Sequence, residues 1–201
     1  MIKLIELENS EPYKELFKLY KSASEASQKN IEAICISSYN KNTNEINSRF
    51  VNLKYINKDK WVFYSNYESS KALDFLNHDQ ISASIFWNET NAQVRLKGNI
   101  YLVSPEESDK HFKNRTFEKN ILAISSKQSN PINSYKEVKK NYQETFNILQ
   151  NKSFIKRPEY WGGYYIKPYY IELWEGQNNR LNKRREYKKV DSNWIMSILQ
   201  P

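Results

Sequence analysis

Residues 157–187 read RPEYWGGYYIKPYYIELWEGQNNRLNKRREY, and the interpretation of the whole chain starts from them. Residues 164–174 are rich in Tyr and Ile, which favour a half-buried pleated surface, so they predict a strand. Gly162 and Gly163 permit a tight turn or a close approach of two backbones. The arginines after Gly176 suit a planar anion or a phosphate. The same residue types also fit an edge strand followed by a solvated basic hairpin.

Composition bounds the class of protein. The chain has 201 residues, of which 39% are hydrophobic, which is enough for a core in one domain or two small ones. The formal charge of 31 − 23 = +8 favours an anionic partner, either nucleic acid or a phosphorylated small molecule. The single cysteine, Cys35, excludes an internal disulfide and is typical of a reducing cytoplasm. Two histidines and one cysteine predict no metal site, and no apolar run predicts a membrane span.

Strands separated by helices, without a βαβ rhythm, predict an antiparallel barrel with added helices, mainly β in class (α+β). The predicted strands are 31–38, 49–55, 61–65, 81–87, 92–103, 164–174 and a last one in 194–201. The predicted helices are 11–28, 71–78, 105–114, 115–129 and 135–150. We expect Leu16, Phe17, Leu19 and Tyr20 to pack on the body, and the stripe Val138, Tyr142, Phe146 and Leu149 to join the core. Ser69 and Ser104 are placed to cap helices.

Arg49 and Lys54 pose a geometric problem. They are five residues apart, so on a regular strand their side chains point to opposite faces. If both bind one ligand, one of them lies at a bend or a strand end, or the ligand lies between two subunits.

Six blocks of sequence resemble the pyridoxamine 5'-phosphate oxidase family, flavoproteins of the FMN-binding split-barrel fold. They occur in the family's order: RFVNLK (49–54), FYSNYESSK (63–71), FWNETNAQVRLKG (86–98), SSKQS (125–129), RPEYWGGYYIKPYYIELWEG (157–176) and RLNKR (180–184). The resemblance implies a single split-barrel domain over 1–201, with a helical segment at 1–30 and dimerisation and substrate strands at 157–201. It also implies a cytoplasmic homodimer with FMN at its interface, and neither nucleic acid nor membrane as a partner.

The resemblance further implies a set of cofactor contacts. In the family's order these are Arg49, Phe50, Val51, Lys54, Tyr64, Ser65, Ser69, Ser70, Lys71, Gln93, Gln128, Ser129, Trp174 and Arg184. Arg49, Ser69 and Lys71 are expected near the flavin phosphate. The last four residues of the set are expected to close the site from the partner subunit, which would also resolve the Arg49–Lys54 problem without distorting the strand.

On the substrate side the sequence departs from the family's pattern. The implied substrate contacts are Lys54, His111, Arg115, Lys119, Arg180 and Asn182. His111 stands where Tyr is usual, Lys119 where Ser is usual, Ser70 where a basic residue is usual, and Asn182 replaces the His of an Arg-Leu-His motif. The catalytic residues implied are Arg180, nearest the reacting carbon, and Asn182. Asn can hydrogen-bond but does not titrate near neutral pH as His does.

The activity implied is oxidation of pyridoxamine or pyridoxine 5'-phosphate at C4' by hydride transfer to FMN. Molecular oxygen then accepts the electrons, giving pyridoxal 5'-phosphate and hydrogen peroxide. Two alternatives stay open at this stage. One is a related flavin oxidase of secondary metabolism, such as the phenazine branch. The other is a non-catalytic binding module, either a flavin- or haem-storing split barrel or a basic nucleic-acid binder.

Overall fold

The computed structural model describes residues 1–201 and places every strand in one nine-stranded sheet. The strands are β1 (Lys3–Ile5), β2 (Ala33–Asn40), β3 (Glu45–Asn57), β4 (Lys60–Asn66), β5 (Gln80–Trp87), β6 (Ala92–Leu102), β7 (Trp161–Glu175), β8 (Lys183–Val190) and β9 (Asn193–Ile198). The α-helices are α1 (Glu11–Glu25), α2 (Ser70–Asn77), α3 (Pro105–Lys113), α4 (Phe117–Ser125) and α5 (Tyr135–Leu149).

Six of these strands close into an antiparallel barrel. The pairing runs β3-β2-β5-β6-β7, and β4 pairs with both β3 and β7, so the circuit has no free edge. β7 is long enough to pair with β4 through Trp161–Ile166 and with β8 through Tyr170–Glu175. The split barrel expected from the sequence is therefore confirmed, with β8 and β9 extending the sheet beyond it.

Alternation along the strands fills the barrel. On β5, Ile81, Ala83, Ile85 and Trp87 are buried, while the residues between them face outward. The N-terminal helix covers part of this core through Tyr13, Leu16, Leu19 and Tyr20. Phe17, which the sequence assigned to the same face, is exposed. The buried residues of α1 form one stripe with helical spacing, and Phe17 lies outside that stripe, on the side of the helix that faces solvent.

The polar stretch 39–48 forms a β-hairpin, because β2 and β3 pair as far as Asn40 and Glu45 on either side of a tight turn. Two other predictions about the elements were wrong in detail. The helix α5 contributes no buried residue, so its apolar stripe is half-buried against α4 rather than part of the core. Ser69 occupies the N-cap position of α2, but its hydroxyl does not cap the helix. Ser104 does cap α3, since its Oγ accepts from the N–H of Glu107.

None of the helices combines the length and the apolar character that crossing a bilayer requires.

Candidate active site

A cavity of about 830 Å³ lies between β3, β4 and the helices α3 and α4, within the size range of small-molecule sites. Thirteen residues of the implied site line it: Arg49, Phe50, Val51, Lys54, Tyr64, Ser65, Ser70, Lys71, His111, Arg115, Lys119, Gln128 and Ser129. Its charged lining is entirely cationic, with no Asp or Glu among the lining residues. The cavity is therefore built for an anion.

A β-bulge brings Arg49 and Lys54 to the same cavity. Leu53 pairs with Phe63 and Tyr55 with Val62, so Lys54 is one extra residue on β3 and shifts the alternation of side chains. The expectation that a subunit boundary removes this problem without distorting the strand was wrong, because the strand itself is distorted.

One group of cations consists of Arg49 and Lys71. Lys71 is 5% exposed and faces no carboxylate; its ammonium donates to the hydroxyls of Ser65 at 2.9 Å and Ser69 at 3.0 Å. Burial, and then repulsion from Arg49, lower the pKa of Lys71 to about 8. Arg49 is held from behind, since its Nη1 donates to Ser38 at 2.6 Å and Ser38 in turn donates to the buried carboxylate of Asp74.

A second group consists of Lys54, Arg115 and Lys119. Burial lowers the pKa of Lys54, and the charges of Lys119 and Arg115 lower it further against the opposing pull of Glu32. Burial lowers the pKa of Arg115 to about 10. The Nη1 of Arg115 is buried and has no hydrogen-bond partner in the chain. An unpaired buried guanidinium nitrogen is costly, so it marks the place where an anion fits.

Aromatic rings form one wall of the cavity. Tyr64 lies parallel to His111, with ring centroids 3.7 Å apart, and parallel to Trp161 at 5.4 Å. The guanidinium of Arg115 lies over Trp161, 4.3 Å from the ring centroid. Burial first, with the nearby charges of Arg115, Lys54 and Lys3, lowers the pKa of His111 to about 4. His111 is therefore neutral at physiological pH.

Glycine keeps this wall close to β7. A Cβ on Gly163 would meet Val103 Cγ2 at 2.7 Å and Tyr64 Cε1 at 2.9 Å. The pair Gly162–Gly163 lies inside β7 and has no positive φ, so close approach is the reason for these glycines, and no turn is involved.

Gln128 and Ser129 line the cavity of their own chain. Gln128 Oε1 accepts from the N–H of Asn66 at 3.3 Å and from the hydroxyl of Ser65 at 3.4 Å. We expected both residues from the partner subunit, and the structure brings them in through the segment after α4 instead.

Six residues of the implied site do not line this cavity: Ser69, Gln93, Trp174, Arg180, Asn182 and Arg184. Ser69 does not reach the cavity, but its hydroxyl accepts a hydrogen bond from the ammonium of Lys71, which does. Gln93, Trp174 and Arg184 are in direct register on β6, β7 and β8, so they share one outer face of the sheet. Asn182 and Arg184 border a second cleft of about 520 Å³ beside the C-terminal residues.

The loop before β8 explains what Asn182 does in one chain. Its Oδ1 accepts from the N–H of Gln177 at 3.0 Å, which closes the loop. Arg180, within that loop, has a φ of 61°. Asn182 thus holds the loop that displays Arg180, a role that the family's Arg-Leu-His pattern did not suggest.

Several lining residues were missed from the sequence. Asn66, Asn114, Thr116 and Trp161 border the cavity. Trp161 and Asn66 lie inside the blocks that resemble the family. Their neighbours, the pair Gly162–Gly163 and Ser65, could have indicated them as site residues. Nothing in the pattern marked Asn114 or Thr116, which lie in the short connection between α3 and α4.

A closed antiparallel barrel with a cationic cavity against its wall defines the class of split-barrel proteins, and comparison with known proteins places the chain within it. Residues 22–148 match the model of pyridoxamine 5'-phosphate oxidase, and residues 161–201 match the pyridoxine 5'-phosphate oxidase C-terminal dimerisation region. The pyridoxine/pyridoxamine 5'-phosphate oxidase of Haemophilus influenzae is 36% identical over 155 residues, which cover 77% of this chain and 73% of the relative. The chain therefore belongs to the pyridoxamine 5'-phosphate oxidase family, a family of oxidoreductases that use FMN.

Solved structures agree on the fold. PhzG from Burkholderia lata, solved with tetrahydrophenazine-1-carboxylic acid, superposes with a TM-score of 0.89 at 22% identity, covering 96% of this chain and 93% of that one. A pyridoxamine 5'-phosphate oxidase-related, FMN-binding protein from Nostoc punctiforme has a TM-score of 0.79 at 12% identity, covering 95% and 98%. At these identities the likeness shows the fold alone. The match of the C-terminal region to a dimerisation region supports a homodimer.

Proposed function

We propose that this protein is an FMN-dependent oxidase of phosphorylated B6 vitamers. It oxidises C4' of pyridoxamine or pyridoxine 5'-phosphate to give pyridoxal 5'-phosphate, with molecular oxygen as the electron acceptor and hydrogen peroxide as the second product. The observation that carries this proposal is the presence of two separate cationic groups in one cavity, one around Lys71 and one around Arg115. A cofactor and a substrate that each end in a phosphate need two such groups. The names of the curated relatives supply the substrate class.

The residues present fit FMN. Arg49 and Lys71, with the hydroxyls of Ser65, Ser69 and Ser70, would hold the cofactor phosphate, because a dianion calls for several forked or ammonium donors and hydroxyls. The buried ammonium of Lys71, which faces no carboxylate, would be stabilised once that charge is present. When bound, FMN supplies the hydride acceptor and passes the electrons on to oxygen. Tyr64 and Gln128 also line the cavity and would orient the ring system of FMN.

The second group binds and orients the substrate. Lys54, Arg115 and Lys119 neutralise its phosphate, and the unpaired Nη1 of Arg115 gains a partner there. Holding the phosphate at this end sets the distance of C4' from the cofactor, which turns the encounter into an oriented, unimolecular step. The wall of Tyr64, His111 and Trp161 excludes water from one side.

The rest of the site comes from the second subunit. The outer face that carries Trp174 and Arg184 also carries Phe50 and Phe86, which are 73% and 53% exposed. The small side chains of Cys35 and Ser84 lie between them, and Arg95 and Lys97 lie beside this patch on β6. Exposed apolar side chains next to small ones, rimmed by charged residues, are suited to burial against a second copy. Phe50 borders the cavity, so a copy seated on this face brings its Trp174, Arg184 and Arg180 to the mouth.

The test is an oxidase assay on the purified protein. We expect a yellow protein with a flavin absorption spectrum, and saturable conversion of pyridoxamine 5'-phosphate to pyridoxal 5'-phosphate with one hydrogen peroxide per turnover. A colourless protein that does not take up added FMN would overturn the cofactor assignment. Bound flavin without turnover of either B6 phosphate would indicate a related flavin oxidase that acts on another substrate.

A further inference from the structure

A tyrosine, Tyr55, contacts the aromatic wall of the cavity from behind. Tyr55 on β3 is half-buried, and its hydroxyl lies 2.8 Å from Nδ1 of His111. Its ring meets the His111 ring edge-on, at 87° and with centroids 5.5 Å apart. Tyr55 does not line the cavity, whereas His111 does. The contact therefore acts on the site through the histidine.

The stack fixes the plane of the histidine. His111 lies 3.7 Å from Tyr64 with an angle of 6° between the rings, so the imidazole has one orientation in which Nδ1 meets the Tyr55 hydroxyl. Nε2 makes no hydrogen bond to any residue of the chain and is not among the buried atoms that lack a partner. The second ring nitrogen is thus left available to a ligand.

A phenol hydroxyl donates more strongly than it accepts, so the Tyr55 O–H donates to Nδ1, and the hydrogen of a neutral imidazole then resides on Nε2. Burial raises the pKa of Tyr55, which keeps the hydroxyl protonated. The groups facing His111 are Lys54 from β3, Arg115 from the connection between α3 and α4, and Lys3 from β1, and they oppose a charged imidazolium. The histidine is neutral and has one hydrogen to place.

We propose that Tyr55 is a positioning residue that holds His111 as the Nε2–H tautomer, so that the ring donates a hydrogen bond to the phosphate of the substrate. This rests on the proposed function, because it takes the ligand at Arg115 to be a phosphorylated substrate. A neutral N–H donor adds direction to a site whose charge already comes from Lys54, Arg115 and Lys119. It also explains how a histidine works where the family uses a tyrosine, since both present one neutral donor.

The direct test is the position of the hydrogen on the ring. In protein labelled with ¹⁵N-histidine at pH 7, ring-nitrogen shifts and one-bond couplings show which nitrogen is protonated, and a His78→Gln variant assigns the signals of the two histidines. We expect Nε2–H for His111 in the wild type and a mixture of tautomers in Tyr55→Phe. The Michaelis constant for pyridoxamine 5'-phosphate should rise about 3- to 10-fold in Tyr55→Phe, the size of one neutral hydrogen bond, with little change in kcat.

The chain offers a matched control in its other tyrosine–histidine pair. The ring of Tyr39 meets His78 edge-on at 5.4 Å, but its hydroxyl bonds Asn44 instead of the histidine. Tyr39→Phe therefore removes the same atom without touching a ring nitrogen, and should change neither tautomer nor Michaelis constant.

The outcomes separate this inference from the proposed function. Wild-type His111 with its hydrogen on Nδ1, or an unchanged tautomer in Tyr55→Phe, overturns the role of Tyr55. An altered tautomer with an unaltered Michaelis constant overturns the donation to phosphate. If the wild type fails to oxidise pyridoxamine 5'-phosphate, the proposed function fails, while titration with inorganic phosphate still decides the inference: a shift of the His111 Nε2 signal supports it, and an unmoved signal contradicts it.

Discussion

The guanidinium of Arg184 forms a two-nitrogen contact with Glu172, its Nε and Nη2 donating to the same carboxylate oxygen at 2.9 and 2.8 Å. The other oxygen of Glu172 accepts from Arg95 at 2.8 Å and from the Tyr170 hydroxyl at 3.0 Å. Glu172 is 1% exposed, so a buried carboxylate fixes the direction of Arg184 on the outer face of the sheet. This places a pre-oriented cation on the surface that we propose meets a second subunit.

Replacing the carboxylate of Glu172 should lower FMN affinity indirectly, through the loss of the orientation of Arg184. In Glu172→Gln, Arg184 loses its charged acceptor, and we expect the free energy of unfolding to fall by about 2 kcal/mol and FMN affinity to fall about tenfold. Thermal unfolding and FMN titration measure the two effects. Glu186→Gln is the control on the same face, because its partner Lys188 is 60% exposed and such pairs contribute about 0–1 kcal/mol. Equal losses in both variants would contradict the role of Glu172.

The affinity for FMN should fall as the pH rises above 8. Burial and Arg49 lower the pKa of Lys71 to about 8, so above this pH the free protein has lost the ammonium proton. A phosphate dianion restores the usual pKa, so binding must take a proton up from solution. The association constant should fall by up to about tenfold per pH unit between pH 8 and about 9.5, and be flat below 8 down to the second pKa of the phosphate, at about 6.

The matched variant for this pH profile is Lys71→Arg. A guanidinium stays protonated over the whole range, so its binding curve should not change between pH 8 and 9.5. A wild-type curve that is equally flat would show that Lys71 does not contact the phosphate.

Arg115 should act on the substrate and leave the cofactor alone. Arg115→Met removes the unpaired Nη1 and a cation of the second group, so the Michaelis constant for pyridoxamine 5'-phosphate should rise about 10- to 100-fold. The dissociation constant of FMN should stay within about twofold, because the cofactor phosphate is assigned to the other cationic group. Lys113→Met, an exposed change near the end of α3, is the control. A loss of FMN affinity as large as the rise in the Michaelis constant would contradict the assignment of the two phosphates to separate cationic groups.

The close approach at Gly162 can be tested by stability. A Cβ there would lie 2.1 Å from Tyr67 Oη and 2.7 Å from its Cζ, so Gly162→Ala should lower the free energy of unfolding by about 1–3 kcal/mol. Adding Tyr67→Phe removes the nearest clashing atom and should recover part of the loss. Additive losses in the double variant would show that the glycine is required for another reason.

The sequence predicted the barrel because its strands carry a clear alternation and its blocks follow the family's order. It also predicted most of the cavity, since Arg49, Lys71 and Tyr64 lie on regular elements or at their ends. Lys54 exposed the limit of the alternation rule. A single bulged residue reverses the face of a side chain, and no residue type in RFVNLKY marks the bulge.

The other failures come from tertiary context. The stripe of α5 has helical spacing, but spacing does not say whether a partner exists to bury it, and in this chain the short helix α4 packs against it and leaves it half-buried. Gln128 could be assigned to either subunit because sequence carries no information on which copy closes a site. Tyr55 was not predicted as a site residue because the role that we propose for it depends on a contact with His111, 56 residues away in the chain.

The most direct test of the shared site uses a mixed dimer. Arg49→Met and Arg184→Met homodimers should both bind FMN poorly, because each damages both sites. A heterodimer of the two variants, co-expressed with different affinity tags, has one site carrying both changes and one carrying neither, so it should bind about one FMN per dimer with wild-type affinity. A heterodimer that binds none would mean that Arg49 and Arg184 of the same chain serve the same flavin. Homodimers that bind FMN normally would mean that these arginines do not hold it at all.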